Sequence, residues 1–265
     1  MTVQPPDNWG IGAAYEPYVG RWSRLVMQEL LTWLRLPPDL RWLDAGCGTG
    51  ALSSVILARA NPRQVVGVDQ SGGFVAYARA HQPDARARFA AADACALPFP
   101  AQIFDAVVSG LMLNFVPQPS IAVQEMARVT RLGGVIAVYV WDYAGEMQMM
   151  HHFWDAATAL DPGIAHLDEG ARFPLCQPEP LAALFQSAGM HSVEVRAIDI
   201  PTHFRDFDDY WLPFLGGQGS APSYVESLDE AQRIDLRERL RNTLPIAADG
   251  SIDLIARAWA VRGRA

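Results

Sequence analysis

The chain has 265 residues, 50% of them hydrophobic and 19% charged, with a formal net charge of −8; that composition suits one large domain or two small ones and excludes a disordered chain. All 21 basic residues are arginine, which excludes a Walker phosphate loop and a Schiff-base lysine, because both need an amine. No apolar run reaches the roughly 18 residues that cross a bilayer, and Met1 to Gly10 lacks the pattern of a secretory signal, so a soluble cytoplasmic protein is expected.

In chain order, residues 17–34 read as a helix. Residues 41–45 read as a strand, followed by a glycine turn and a helix over 51–60. A second strand over 64–69 leads to a helix over 72–81, and a third strand covers 87–92. A fourth over 104–110 precedes a helix over 120–131, which the pair Gly133-Gly134 is expected to close at a left-handed cap. The longest apolar run, Val135 to Trp141, reads as a fifth strand. Beyond it the rhythm changes to a stretch rich in aromatics, His and Pro. A helix over 179–188, a strand over 193–200, a helix over 228–240 and a strand over 251–261 complete the chain. Strands alternating with helices predict an α/β fold with a parallel sheet, right-handed crossovers and helices on both faces.

The strongest local signal is Leu43-Asp44-Ala45-Gly46-Cys47-Gly48-Thr49-Gly50-Ala51, between a strand and a helix. Glycines there let backbone approach a ligand closely, although the same run also suits a tight packing turn. Gly46, Gly48 and Ala51 satisfy the dinucleotide fingerprint as well. Asp44 argues against that ligand, because a carboxylate at the strand tip repels a pyrophosphate and favours a cation. Asp69 closes the second strand 19 residues after Gly50, the spacing at which a carboxylate accepts from ribose hydroxyls. Asp93 follows the third strand, placed to accept from an adenine amino group or to cap an ordinary turn. Three aspartates at successive strand ends mark the edge where open α/β sheets bind ligands.

The run Leu43 to Gly50, the acidic end of strand two, Asp93, Phe104-Asp105-Ala106-Val107-Val108 and Arg128-Val129-Thr130-Arg131-Leu132-Gly133-Gly134 resemble, in order, the motifs of class I S-adenosylmethionine-dependent methyltransferases. Within that class the chain is similar to the small-molecule group that includes the ubiquinone-biosynthesis C-methyltransferases. The likeness is close over residues 41–141 and loose outside. It implies a Rossmann-like, seven-stranded, mostly parallel sheet with an antiparallel last strand. It also implies one domain over 1–265, divided into a helical lid (1–36), a cofactor-binding core (41–141), a substrate-side insertion with the sixth strand (142–225), and the last helix and seventh strand (226–265). Gly46, Gly48 and Gly50 would line the methionine part and Asp69 would hold the ribose, with Asp44, Ala45, Cys47 and Gln70 as further cofactor contacts. Asp93 and Ala94 would meet the adenine, and Ser109 would sit near the methyl group.

Tyr15, Tyr18 and Trp22 fall on one helical face with Arg21 beside them. They suit either a core stripe or a lid in which Tyr18 and Arg21 contact the cofactor. Trp141, Asp142 and Tyr143 end the fifth strand, and the aromatics there with Phe153 and Trp154 suit a flat or apolar acceptor, or a cation held by ring faces. His151 or His152 is a candidate general base, though a lone His more often packs or is solvated. The side chains of these adjacent histidines diverge on a helix, so no metal is expected. Asp206, Asp208 and Asp209 suit a first helical turn, and Gly216 to Ser220 suits a gating loop. Cys47, Cys95 and Cys176 form no close pair, which argues against a disulfide framework or zinc.

Residues 1–150 carry 12 acids and 11 arginines, against 17 and 10 in residues 151–265, and this acidic balance argues against nucleic acid. The place after strand four reads Ser109-Gly110-Leu111-Met112, without the Pro-Pro-aromatic run of base-modifying enzymes. A small-molecule methyl acceptor is expected, with no nucleic-acid or membrane partner, in a monomer or homodimer. A non-catalytic adenosylmethionine-binding protein and a nicotinamide-dependent oxidoreductase are the alternatives.

Overall fold

The structure, a computed structural model, describes residues 20–216 and 219–265. It begins with α1 (Arg21–Leu34), β1 (Arg41–Ala45), α2 (Ala51–Arg59), β2 (Gln64–Asp69), α3 (Gly72–His81) and β3 (Ala87–Ala91). Next come β4 (Phe104–Gly110), α4 (Pro119–Val129), β5 (Thr130–Trp141), α5 (Gln148–Leu160), the four-residue α6 (Glu169–Arg172) and α7 (Pro178–Ser187). The chain ends with β6 (His191–Phe204), α8 (Phe207–Trp211), α9 (Ser220–Ser227), α10 (Glu230–Thr243) and β7 (Ile252–Arg264). Local chemistry sets several of these ends. Ser71 caps α3 by accepting from the Phe74 amide at 3.3 Å, and Pro119 opens α4, where its missing N–H costs nothing. Asp229 and Gln232 form a reciprocal capping box at α10, with bonds of 2.8 and 3.1 Å.

The seven strands form one sheet in the order β3-β2-β1-β4-β5-β7-β6. β1 pairs in parallel with β2 and β4, β2 with β3, and β4 with β5. β7 runs antiparallel to β5, from Val135↔Arg264 to Trp141↔Ala258. This is the Rossmann-like α/β arrangement with an antiparallel late strand. The order runs outward from β1 to β3 and then reverses to β4 and β5. With right-handed crossovers, that reversal places α2 and α3 on one face and α4 on the other. Val135 to Trp141 is buried throughout, as expected for a strand covered on both sides.

Gly133 and Gly134 do not close α4. The helix stops at Val129, and Thr130 is already extended and paired with Phe104. The next pair is Ala106↔Val135, so residues 131–134 loop out of β5. Gly133 takes the left-handed turn of that excursion at φ +74°. A Cβ on Gly134 would lie 2.6 Å from Thr130 Cγ2 and 2.9 Å from the Asp105 carbonyl oxygen. The glycine pair therefore serves a bulged strand, which removes the need for a helix cap.

The chain divides into two compact units. The core unit comprises Ser23–Trp141, Leu175–Ile198 and Ala258–Ala265. The second takes Asp142–Pro174 and Asp199–Arg257 together with Arg21 and Trp22. One boundary between the units falls after Trp141. Residues 175–198 nevertheless belong to the core unit, where α7 packs on α4. Aromatic side chains build much of the second unit: Phe153 stacks on Phe214 at 4.5 Å, and the Tyr210 hydroxyl donates to the Met149 carbonyl at 2.8 Å. No described helix is long and apolar enough to cross a membrane.

Gly67 in β2 has no room for a side chain, since a Cβ there would sit 2.6 Å from Phe89 Cδ1 and 3.0 Å from Cys47 Sγ. Gly67→Ala is expected to destabilise the protein by about 1–3 kcal/mol through overpacking, read as a lower urea midpoint. An unchanged midpoint would contradict this packing of β2 on β3.

Candidate functional site

The carboxyl ends of β1 and β4 meet where the strand order reverses, the position at which open α/β sheets leave a crevice. The loop from β1 to α2 lies there. Its Gly46 and Cys47 amides both donate to the Val68 carbonyl, at 2.8 and 2.9 Å, folding the loop over the end of β2. The Gly48 amide donates to Asp69 Oδ2 at 3.0 Å, and the Gly50 amide to the Cys47 carbonyl at 2.8 Å. At Gly46, φ is +74° and a Cβ would fall 2.7 Å from Met112 Cβ. At Gly48, φ is +52° and a Cβ would meet nothing within 4 Å, so the loop has an open side.

Asp44 is strongly perturbed by its place beside this loop. It is 1% exposed, and its Oδ2 accepts from the Ser53 hydroxyl at 2.7 Å. Oδ1 is buried and has no partner among the described residues. Burial pushes the carboxyl up to about 7; Ser53 opposes the rise, and the Asp69 charge adds to it. Sequence reasoning placed Asp44 at the strand tip but missed Ser53, whose signal is a hydroxyl in the first turn of the helix after the loop. Ala45 is fully buried at the end of β1. Burial, reinforced by Asp44 and Asp69, pushes the buried Cys47 thiol well up, which leaves it a neutral packing group.

Asp69 holds two amides, those of Gly48 at 3.0 Å and Ser71 at 2.8 Å, and Gln70 beside it is exposed. Each carboxylate oxygen carries two acceptor positions, so both retain capacity. Asp93 is exposed and accepts from the Cys95 amide at 2.8 Å, which is the turn-capping role; Ala94 is half-buried. The segment that follows is pinned by Arg128, which donates to the carbonyls of Phe99 (2.8 Å) and Leu97 (3.0 Å), while Glu125 accepts from the Leu97 amide at 2.8 Å. Ser109 is fully buried with no partner for its hydroxyl among the described residues. The Asn114 amide, just beyond β4, likewise has both polar atoms buried and unpartnered there. Sequence reasoning missed Asn114, since an Asn among apolar neighbours carries no motif.

In the second unit, Arg21 Nη1 donates to Asp209 Oδ1 at 3.0 Å. Tyr15 and Tyr18 lie outside the described residues, as does part of the Gly216 to Ser220 loop. His151 and His152 sit half-buried on α5, and burial lowers the His152 pKa, with Asp155 opposing and His151 assisting. Asp206 caps α8 by accepting from the Asp209 amide at 2.8 Å, the helical role its spacing suggested. Among the described residues no group of His, Cys, Asp or Glu is arranged to hold a metal. Glu169, which no motif marked, is 6% exposed and accepts from the Trp154 indole N–H at 2.5 Å. Its burial raises the carboxyl to about 7, with the Trp154 bond opposing the rise.

A family model described as a methyltransferase domain matches residues 43–138. The 2-methyl-6-phytyl-1,4-hydroquinone methyltransferase of Synechocystis sp. is 31% identical over 187 residues, which is 69% of this chain and 57% of that protein. The demethylmenaquinone methyltransferase of Roseiflexus sp. is 33% identical over 63% of this chain and 75% of its own length. The chain thus spans less than two thirds of the first relative and three quarters of the second. The solved phosphoethanolamine N-methyltransferase 2 of Haemonchus contortus, in complex with S-adenosyl-L-methionine, shares the fold with a TM-score of 0.59 at 18% identity, over 95% of this chain and 56% of that one.

The Asp44 carboxyl stands near 7 in the folded chain against 3.8 in an unfolded one. The cost of holding its charge is therefore absent at low pH, accrues as pH rises between those values and is complete above them. Asp44→Asn removes that cost. Its stability relative to wild type is expected to climb across this window by about 4 kcal/mol at most and then level off, measured by urea unfolding at stepped pH. A difference that does not vary with pH would contradict the buried carboxyl.

Proposed function

The chain belongs to the class I S-adenosylmethionine-dependent methyltransferases, and we propose that it moves a methyl group from that donor to a small-molecule acceptor of the hydroquinone type. Asp44 carries the donor half of the reading. A buried carboxyl with one unclaimed oxygen favours a positively charged guest. The loop beside it donates the amides of Gly46, Cys47, Gly48 and Gly50 within the protein. Those four amides are therefore not free for the diphosphate of a nicotinamide cofactor, the ligand class that the fingerprint alone would allow.

When bound, the donor supplies a methyl group on a cationic sulfur that is its own leaving group. The chain's residues then bind, orient and exclude water. In this proposal Asp44 faces the cationic methionine part across the open side of Gly48. Asp69 accepts from the ribose hydroxyls with the capacity its two amide bonds leave over. Asp93 and Ala94 meet the adenine on the segment that Arg128 and Glu125 hold in place. The buried Ser109 hydroxyl lies at the end of β4 near the transferred group. The hydroquinone class for the acceptor rests on the name of the first relative, and the second is named for a demethylmenaquinone.

Calorimetry tests the donor assignment. S-adenosylmethionine is expected to bind and NADH is not; binding of NADH alone would overturn the reading. A cation beside Asp44 lowers its pKa, so binding near neutral pH is expected to release up to about half a proton, seen as a buffer-dependent enthalpy. Asp44→Asn should abolish that release. Asp69→Asn should weaken the donor by roughly 1.5–3 kcal/mol, the scale of hydrogen bonds to a charged group; unchanged affinity would count against the ribose role.

A further inference from the structure

Ser53 is fully buried in the first turn of α2, just past the last glycine of the loop. Its hydroxyl donates to Asp44 Oδ2 at 2.7 Å, a bond between two buried side chains. Its amide also favours the charge on Asp44. First-turn amides have no partner within their own helix, and the positive end of the helix dipole lies among them. Gly50 stands at the cap position of α2 and offers those amides no side-chain bond. Asp44, reaching over from β1, therefore does for α2 what a capping side chain would, and Ser53 is where the two meet.

The other groups around Asp44 do not favour its charge. The titratable ones that face it are Asp69 at the end of β2, whose charge raises its pKa, and the neutral Cys47 thiol of the loop. The first turn of α2 holds no acid, and Oδ1 has no partner among the described residues. Burial and Asp69 thus push the carboxyl towards its neutral form, and the contacts of Ser53 push it back. β1, the loop, α2 and β2 all lie within the core unit.

We infer that Ser53 is a positioning residue of the donor site: its hydroxyl fixes one oxygen of Asp44, leaves the other for a cationic ligand, and keeps the carboxyl able to ionise near neutral pH. The inference rests on the methyl-transfer reading and deepens it. A cation gains from an ionised carboxyl and little from a neutral one, so the hydroxyl sets the pH range over which the donor is held. Without it the Asp44 pKa rises further. Below the wild-type midpoint the variant carries less charge than wild type, whereas well above both midpoints the two carry the same. The loss of affinity is therefore greatest in acid and disappears in alkali.

Calorimetry of the full chain with S-adenosylmethionine, at about pH 6 and about pH 9, compares wild type with three variants. Taking the ratio of each variant to wild type cancels the titration of the ligand itself. Ser53→Ala is expected to bind about tenfold more weakly than wild type at the lower pH and within about twofold of it at the higher. Ser53→Thr keeps the hydroxyl, so its ratio is expected to be the same at both. Ser54→Ala removes a hydroxyl from the same turn, one that donates to the Gly50 carbonyl and accepts from Gln82, both at 2.8 Å, and its ratio is expected to be equally flat. Should Ser53→Ala fail to fold, Ser53→Cys takes its place, because a thiol is a weak donor and its ratio is expected to tilt the same way. A flat ratio on loss of the Ser53 hydroxyl, or a tilt as steep in Ser53→Thr or Ser54→Ala, overturns the role of Ser53 and leaves methyl transfer standing. Failure of wild type to bind the donor at either pH overturns both.

Discussion

A carboxyl group buried beside a glycine loop is costly unless something offsets it. Asp44 is almost wholly removed from water, with one oxygen on Ser53 and the other unmatched among the described residues. A second carboxylate, Asp69, adds to the strain on it. Such an arrangement lowers stability in the free protein and returns it when a positive ligand arrives. Stability given up at a binding site in this way is common where function demands an unsatisfied group.

The sheet explains why that group stands where it does. Parallel strands bring their carboxyl ends to one edge, and the reversal between β1 and β4 opens that edge. The loop after β1 then has to turn sharply, and it does so by donating its amides to the Val68 carbonyl and to Asp69. Using those amides internally fixes the turn and takes them from the set that a strand-to-helix glycine loop often offers to an anion. One set of hydrogen bonds thus fixes the shape of the loop, and in the proposed reading it also bears on the sign of charge the loop takes.

Most of the core unit was legible in the sequence, because its strands are short apolar runs bounded by Gly and Asp. β2, α3 and β4 have the limits that periodicity gave them. The failures have physical causes. Gly133-Gly134 reads as a helix cap locally, yet the register of β5 against β4 consumes it as a bulge, and register is a property of two strands. The assignment of residues 175–198 to the core unit depends on α7 meeting α4, about fifty residues earlier in the chain. Within the site, Asp44 and Asp69 were visible at strand ends. Ser53 and Asn114 were not, because their significance lies in which partners they have or lack. Glu169 was hidden for a related reason: a four-residue helix buries it against Trp154, with Gly170 tight on the Ala144 backbone.

The central claim is that the Asp44 carboxyl, neutral or charged according to its surroundings, selects a cationic guest. Carbon-13 NMR of that carboxyl, titrated in the free protein and again with saturating S-adenosylmethionine, measures this without relying on turnover. The account predicts a midpoint near 7 in the free chain and a fall of about one unit or more in the complex. A midpoint in the ordinary carboxylate range without ligand, or one that the donor leaves in place, would contradict it.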